Sequence, residues 1–270
     1  MVVRFCRLNI RGVWEYYGLH LFVWAHCYWW RTGKERIVMK EVLRQEKKFL
    51  INLEQYYRLS RMFSKLMMED RFSAGDGYTV RSLYFDSLDD SDFEEKIEGV
   101  DLRKKIRLRN YGFGSTTAKL EMKQKQGMMQ KKRSFTLDRA QSHRLISGDY
   151  SVLLGSGSEF AAECYGLMQT RCYRPKAVVS YTRKVFLAHE NEIRITFDHN
   201  IKGSETNFDI FSEELVENMV FDPYLVVMEV KFNGFLLSYI KDIINSVNES
   251  EVAVSKYCLS RTIGKQYLFL

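Results

Sequence analysis

Hydrophobic and polar residues alternate in eight segments between residues 44 and 232. A period of two is typical of strands with one apolar face, because successive side chains point to opposite sides. In KIRLRNY, residues 105–111, Lys105, Arg107 and Arg109 alternate with Ile106 and Leu108. The predicted strands are residues 44–51, 78–86, 101–111, 118–125, 128–137, 176–187, 193–200 and 225–232.

Other segments have apolar residues at the three- and four-residue spacing of amphipathic helices. The clearest covers residues 52–70, where Asn52 is placed to cap the first turn. The other predicted helices cover residues 138–148, 158–170, 234–247 and 255–263. Gly127 lies in a short link between two predicted strands, which indicates a hairpin. No linker rich in Pro, Gly or Ser follows residue 39, so residues 39–270 are predicted to form a single domain.

The N-terminal segment differs from the rest of the chain. Residues 19–30, LHLFVWAHCYWW, are apolar and aromatic, but a bilayer span needs roughly 20 residues. We predict that residues 1–38 are an extension outside the fold, with a membrane-surface anchor as the alternative. The five cysteines show no paired spacing, which favours a reducing cytoplasmic environment, with peripheral attachment at the inner membrane face as a variant.

The formal net charge is +7, of which residues 39–270 carry only +3. This weak excess disfavours nucleic acid as a partner, and Tyr84 and Phe85 do not form an exposed stacking platform by pattern. Local charge is more informative than the total, because most predicted strands place their basic residues on one face. If the strands curl into a barrel, these faces line the interior, where a phosphate polyanion would match them.

Several carboxylates are predicted to lie on the same strand faces as these bases. Glu46, Glu121, Glu229 and Asp198 fall on the same predicted faces as the lysines and arginines. Carboxylates among phosphate-binding bases often hold Mg²⁺ or Mn²⁺. The alternative is that they are salt-bridge partners that relieve repulsion between the bases.

The strings EKKF, RSLYFD, KIRLRNY, KLEMKQK, SYTRKVF, RITFD, MEVKF and SKY, in that order, resemble the VTC domain. This domain is the polyphosphate polymerase module of the vacuolar transporter chaperone complex and belongs to the triphosphate tunnel metalloenzymes, or CYTH-like superfamily. The resemblance runs from about Met39 to Gly264. It implies an α+β fold, an eight-stranded antiparallel β-barrel with flanking helices. It also implies that ATP donates its γ-phosphate to a growing polyphosphate chain, assisted by Mn²⁺.

The resemblance also implies roles for individual residues. The implied phosphate ligands are Lys48, Arg107, Arg109, Lys119, Lys123, Arg183, Arg194 and Lys256. Glu229 would hold the metal, with Lys231 nearby, and Tyr181, Ser255 and Arg81 are further candidates. Arg81 could instead form a salt bridge at a strand edge. The strand phases add Lys105 to the bases, and Glu46 and Glu121 to the candidate metal ligands.

One position departs from the wider superfamily. Its ExExK signature needs an acid at position 44, where this chain has Arg44. This favours phosphoryl transfer over hydrolysis by a two-metal site. Three functions remain open: a polyphosphate polymerase, a hydrolase of triphosphate or nucleoside triphosphates, and a noncatalytic polyphosphate sensor. We find no spanning segment after residue 39, so export of a product would need a separate membrane protein.

Overall fold

The computed structural model describes the backbone of residues 44–266, apart from residues 74 and 128. The predicted extension, residues 1–38, lies outside the described residues. No helix within the described part of the chain is long and apolar enough to cross a membrane.

A single antiparallel sheet dominates this part of the chain. Its eight long strands follow the order β1-β10-β8-β7-β3-β4-β5-β6. They are β1 (Arg44–Asn52), β3 (Tyr78–Asp86), β4 (Leu102–Tyr111), β5 (Thr117–Gln126), β6 (Met129–Asp138), β7 (Arg174–Leu187), β8 (Arg194–Ser204) and β10 (Leu225–Asn233). Two short strands, β2 (Met68–Glu69) and β9 (Asn218–Met219), pair with β7 and β8. The eight predicted strands are therefore confirmed.

The sheet curls into a half-barrel. Within the described residues, β1 and β6 are the two ends of the ladder and do not pair with each other. Side chains cross the gap, since the Lys123 ammonium lies 3.3 Å from a Glu46 carboxylate oxygen. The outer edge of β1 is covered by a later segment, where the Val252 N–H donates to the Lys48 carbonyl at 2.8 Å. Closure thus depends on side chains and one covering segment, not on a continuous ladder.

In the described residues, six α-helices accompany the sheet. They are α1 (Leu53–Leu66), α2 (Ser91–Ile97), α3 (Arg139–Ile146), α4 (Glu159–Thr170), α5 (Ser238–Asn245) and α6 (Lys256–Gln266). Asn52 caps α1 in a reciprocal capping box with Gln55, as its position predicts. The helix ends at Leu66, short of the predicted residue 70, because Met68 and Glu69 pair with β7. The pattern missed α2, whose seven residues are too few to show a clear helical period.

The apolar faces of the strands are buried beneath helices on the convex side. Phe197, Phe186 and Met228 pack with Phe63 of α1 and Ile240 of α5 in one cluster. A second cluster lies under α3 and α4, and it contains Ile106, Leu108 and Leu120 with Leu145, Cys164 and Met168. Because burial of apolar area holds the helices outside, the polar strand faces are left to the interior.

The last helix lies on the concave side. Tyr257 of α6 stacks on Tyr84 of β3 with ring centroids 5.0 Å apart. The Tyr257 hydroxyl also donates to the buried Asp86 carboxylate at 2.6 Å. These contacts fix the first turn of α6, so the neighbouring Lys256 reaches the interior of the half-barrel.

We expect Phe197→Ala to lower the free energy of unfolding by about 3–5 kcal/mol, because it leaves a cavity in a fully buried aromatic cluster. Chemical denaturation monitored by circular dichroism measures this loss. Phe235→Ala is the matched control, since Phe235 is 67% exposed and its loss should change the free energy by less than about 0.5 kcal/mol. Equal losses in the two variants would contradict this assignment of the core.

Candidate active site

The concave surface of the half-barrel collects bases from most of its strands. Strand register determines which side chains share this face, because the side-chain direction alternates at every residue. The bases on it are Lys48, Lys105, Arg107, Arg109, Lys119, Lys123, Lys132, Arg183, Arg194 and Lys231, joined by Lys256 from α6.

Strands β4, β5 and β6 form one half of this surface around Glu121. The carboxylate accepts from Arg107 at 2.8 Å and from Lys132 at 2.5 Å, and Arg109 lies 3.7 Å away. Burial acts to raise the pKa of Glu121, but these three cations outweigh it and lower the pKa to about 2. Glu121 therefore neutralises bases, which favours the salt-bridge alternative over a role as metal ligand.

The other half contains two buried carboxylates. Asp198 accepts two hydrogen bonds from Arg183, one from Nε and one from Nη2, each at 2.6 Å. It also lies 2.6 Å from the Lys256 ammonium. Glu229 lies 2.8 Å from Lys231 and 3.8 Å from Lys48. Burial opposes the charge of Asp198 and Glu229, but the surrounding cations outweigh burial and hold both pKa values below the ordinary range.

Tyr181 connects the two halves. Its hydroxyl accepts from Arg109 at 3.2 Å. The charged groups of Arg183 and Lys256 lie 5.1 and 4.9 Å from the centre of its ring, within the range of cation–π attraction. Arginines from β4 and β7 therefore meet around one aromatic side chain, and the separate strands contribute to one continuous basic surface.

The remaining predicted residues extend this surface. Glu46 lies 3.3 Å from both Lys48 and Lys123. The Lys105 ammonium donates to the Ser255 hydroxyl at 2.7 Å, next to the start of α6.

Two further predicted bases lie at positions set by strand register. Lys119 is exposed and stands opposite Arg109, and the half-buried Arg194 stands opposite Lys231. Within the described residues, neither Lys119 nor Arg194 forms an ion pair with a carboxylate.

Arg81 does not belong to the cluster, and its assignment to the tunnel is corrected. It is one residue out of phase with Ser82, which faces Arg109, so its side chain points to the convex side. There its guanidinium donates to the carbonyls of Ile210 and Ser212 at 3.2 and 2.5 Å. Arg81 is buried and holds the loop that connects β8 to β9, to which both carbonyls belong.

Lys132 is a site residue that the sequence reasoning missed. It lies within the run Lys131-Lys132-Arg133, where alternation gives no preferred face. The hairpin register supplies the missing information, because it places Lys132 opposite Lys123. The Lys132 side chain is 51% exposed, but partial burial of its ammonium group beside the sheet lowers the pKa to about 8 despite the attraction of Glu121.

The carboxylates fit a metal ion only in part. Among the described residues, no group of three or more His, Cys, Asp or Glu side chains could coordinate one. Glu229 and Glu46 both contact Lys48, so their carboxylates lie near each other. Mg²⁺ in phosphate sites often takes one or two protein carboxylates and completes its shell with phosphate oxygens and water. This donor pair fits an ion that is shared with a phosphate substrate.

The fold and this surface define a tunnel-type domain with a basic interior. The VTC domain family matches residues 43–263, and the chain belongs to this family. Membership supports a function related to polyphosphate or triphosphate and suggests an enzyme acting on such compounds.

Many solved structures resemble the chain, and two examples of low identity illustrate them. The bh2851 protein from Bacillus halodurans is 15% identical, with 78% of this chain and 95% of that chain covered and a TM-score of 0.47. The PH1819 protein from Pyrococcus horikoshii is 11% identical, with coverage of 82% and 99% and a TM-score of 0.41. A search among curated proteins gives no significant match.

We expect Asp198→Asn to destabilise the protein by about 3–5 kcal/mol, because it removes the closest counter-charge of the buried Arg183 and Lys256 and leaves them only the more distant Glu229. Thermal and chemical denaturation measure the loss, and added tripolyphosphate should restore part of it by binding the folded state. Asp149→Asn is the control, since it removes an exposed partner of Arg144 and should cost less than about 1 kcal/mol. A similar loss in both variants would contradict the buried ion-pair assignment.

We expect the affinity for tripolyphosphate to fall as the pH rises above about 8, because Lys132 then loses its charge in the free protein. Binding of an anion raises the pKa of this lysine, so affinity is highest below the pKa of the free state. Isothermal titration calorimetry across this range measures the effect. Lys132→Arg should flatten the profile, and Lys131→Arg, on the opposite face of β6, should leave it unchanged. An unaltered profile in Lys132→Arg would exclude Lys132 from the binding surface.

Proposed function

We propose that this domain transfers the γ-phosphate of ATP to the end of a polyphosphate chain held in its basic interior. The main support is the convergence of Arg109, Arg183 and Lys256 around Tyr181, which joins the two basic halves. The family supports a function related to polyphosphate or triphosphate. ATP and polyphosphate are accordingly the proposed partners.

Phosphoryl transfer requires alignment and charge stabilisation more than a protein nucleophile. The guanidiniums of Arg107, Arg109 and Arg183 would bind oxygens of the transferring group, since their planar donors match phosphate geometry. Lys256 and Lys48 would hold neighbouring phosphates as point charges. The attacking oxygen of a polyphosphate end is already ionised, so the mechanism needs neither a general base nor a covalent enzyme intermediate.

Glu229, with Glu46 beside it, would hold a divalent cation, Mn²⁺ or Mg²⁺, in the phosphate-bound state. Such an ion neutralises charge on phosphate oxygens and orients them. In the structure, Glu229 is surrounded by Lys231, Lys256, Lys48 and Arg183 at 2.8–3.9 Å. Incoming phosphates would attract these cations and release the carboxylate for the ion.

Transfer is favoured over hydrolysis by the sequence of β1. Arg44 occupies the position at which the wider superfamily's signature has an acid, and Glu46 is the remaining carboxylate of that motif. A second carboxylate there would support a two-metal hydrolytic site. The hydrolase would release orthophosphate without chain growth, which distinguishes the two reactions.

A noncatalytic polyphosphate-binding module is the second candidate. The observation that favours it is the engagement of Glu229 and Asp198 by cations, which leaves few free ligands for a metal. Such a module would bind polyphosphate tightly, and binding would survive Glu229→Ala. Cytoplasmic placement and a separate membrane protein for export are further parts of the proposal.

We expect the protein to form long acid-insoluble phosphate from ATP with Mn²⁺ or Mg²⁺. Arg107→Ala should reduce this synthesis by about 100-fold or more, because it removes a partly buried guanidinium that would stabilise charge on the transferring group. Glu229→Ala should also abolish it. Quantification of acid-insoluble phosphate and of released orthophosphate measures synthesis and hydrolysis together.

Arg144→Ala, which removes an exposed base on α3, is the control and should retain full activity. Orthophosphate release without polymer would establish the hydrolase. Tight polyphosphate binding without turnover under either metal would establish the binding module. Each of these results would overturn the polymerase.

A further inference from the structure

Strand β8 changes the residues that it turns inward halfway along its length. Up to Asp198, its even-numbered residues face the interior of the half-barrel. Just beyond, β8 holds one residue more than its partner β7, and Asn200 there has a φ of 53°. This irregularity is a β-bulge, which reverses the direction of the side chains that follow. Ile201 therefore faces the interior, where it packs in the cluster beneath α6, and Gly203 is the next inward position.

Gly203 lies directly beneath α6. A Cβ atom at this position would lie 2.8 Å from the Ser260 hydroxyl oxygen, 2.9 Å from a Val220 methyl carbon and 3.4 Å from the Val178 carbonyl oxygen. The first two distances are shorter than van der Waals contact. Ser260 and Val220 are both buried, so neither side chain has open solvent to turn into. The absence of a side chain at Gly203 is therefore what allows α6 to lie so close to β8.

The contact at Gly203 is coupled to the base at the start of α6. Ser260 and Lys256 are four residues apart, so they lie one turn apart on the same face of the helix. The Lys256 ammonium lies 2.6 Å from Asp198 and 3.5 Å from Glu229. A group that pushed Ser260 away from β8 would move Lys256 with it, because one hydrogen-bonded turn joins them. Gly203 thus sets how far the ammonium reaches into the interior.

Arg261 holds the same helix from a second face. Its guanidinium donates to Asp90 at 2.6 Å and to Glu205 at 3.0 Å, and its side chain is only 14% exposed. Asp90 lies at the start of α2, and Glu205 directly follows β8. Arg261 is four residues after Tyr257, which donates to Asp86 from the same face. Two polar contacts one turn apart therefore fix the rotation of α6.

We infer that Gly203 and Arg261 are positioning residues, which hold α6 at the depth and rotation that bring the Lys256 ammonium into the basic interior. Gly203 has no side chain to contact a ligand, and Arg261 is engaged by two carboxylates outside the central cluster. Both act through Lys256. The inference rests on the proposed function only in requiring that Lys256 contacts bound phosphate, and the position of Lys256 can be measured without any ligand.

The first test measures acetylation of Lys256 by acetic anhydride in the full chain, followed by peptide mass spectrometry. Lys184 is the internal control, because it is 17% exposed and pairs with Glu69 on the opposite face of the sheet. Gly203→Ala and Arg261→Gln should each raise the acetylation rate of Lys256 relative to Lys184 by about fivefold or more, the scale of an overpacked contact. Arg261→Lys keeps the positive charge and should restore part of the protection.

The second test measures tripolyphosphate affinity by isothermal titration calorimetry in a double-mutant cycle. Lys256→Met should weaken binding by about tenfold or more, because it removes a charged hydrogen-bond donor. Gly203→Ala alone should weaken binding by about fivefold, but by less than about twofold when Lys256 is already Met. The same non-additivity is expected between Arg261→Gln and Lys256→Met. A merely structural role would make the losses additive.

Two variants serve as matched controls. Gly166→Ala adds a methyl group in α4 that meets no atom within 4 Å, and Arg144→Gln removes an exposed ion pair on α3. Both should keep the acetylation ratio and the affinity of the unchanged protein, and circular dichroism should show that all variants are folded. If Gly203→Ala does not fold, Arg261→Gln and its rescue by Arg261→Lys decide the question.

Unchanged acetylation of Lys256, an equal acceleration at Lys184, or additive losses of affinity would each overturn the inference. A chain that binds no tripolyphosphate at all would count against the proposed function, whereas acetylation would still show whether Gly203 and Arg261 position Lys256.

Discussion

Neutralisation of positive charge inside the curled sheet is the constraint on which the rest of the structure depends. Bases from many strands face a common interior, where burial lowers the effective dielectric constant and so strengthens their mutual repulsion. Asp198, Glu229 and Glu121 offset part of that repulsion, and each contacts more than one cation. Because the bases outnumber these acids, the interior retains a positive charge that a phosphate chain can neutralise.

The position of α6 follows from the same constraint. Lys256 lies between Asp198 and Glu229, and it would be costly to bury without them. The aromatic stacking of Tyr257 on Tyr84 supplies apolar contact beside this charged network. Tyr84 in turn accepts from Arg107. Packing and electrostatics are therefore coupled, and displacement of α6 would disturb both halves of the surface.

Strand register explains why some site residues were predictable and others were not. Lys105, Arg107 and Arg109 lie in a strand with strict alternation, so their common face could be read from the sequence. Arg81 lies between buried residues on both sides, and alternation in β3 gave no clear inward face. Lys132 lies in a run of three bases, and only pairing with Lys123 shows its direction. The resemblance to a family indicated which residues could bind phosphate, but only their contacts in the structure showed which of these side chains lie together.

The sequence by itself determined the eight strands, the main helices and the basic character of one sheet face, because these follow from local periodicity and residue type. It also supported the family, through short strings spread over nearly the whole chain. Only the tertiary structure showed that the two end strands of the sheet do not pair and that Glu121 forms salt bridges with several bases. It also showed that Arg81 binds the loop between β8 and β9. These outcomes depend on contacts between residues far apart in the chain, and local pattern carries no information about distances between strands that are not neighbours in sequence.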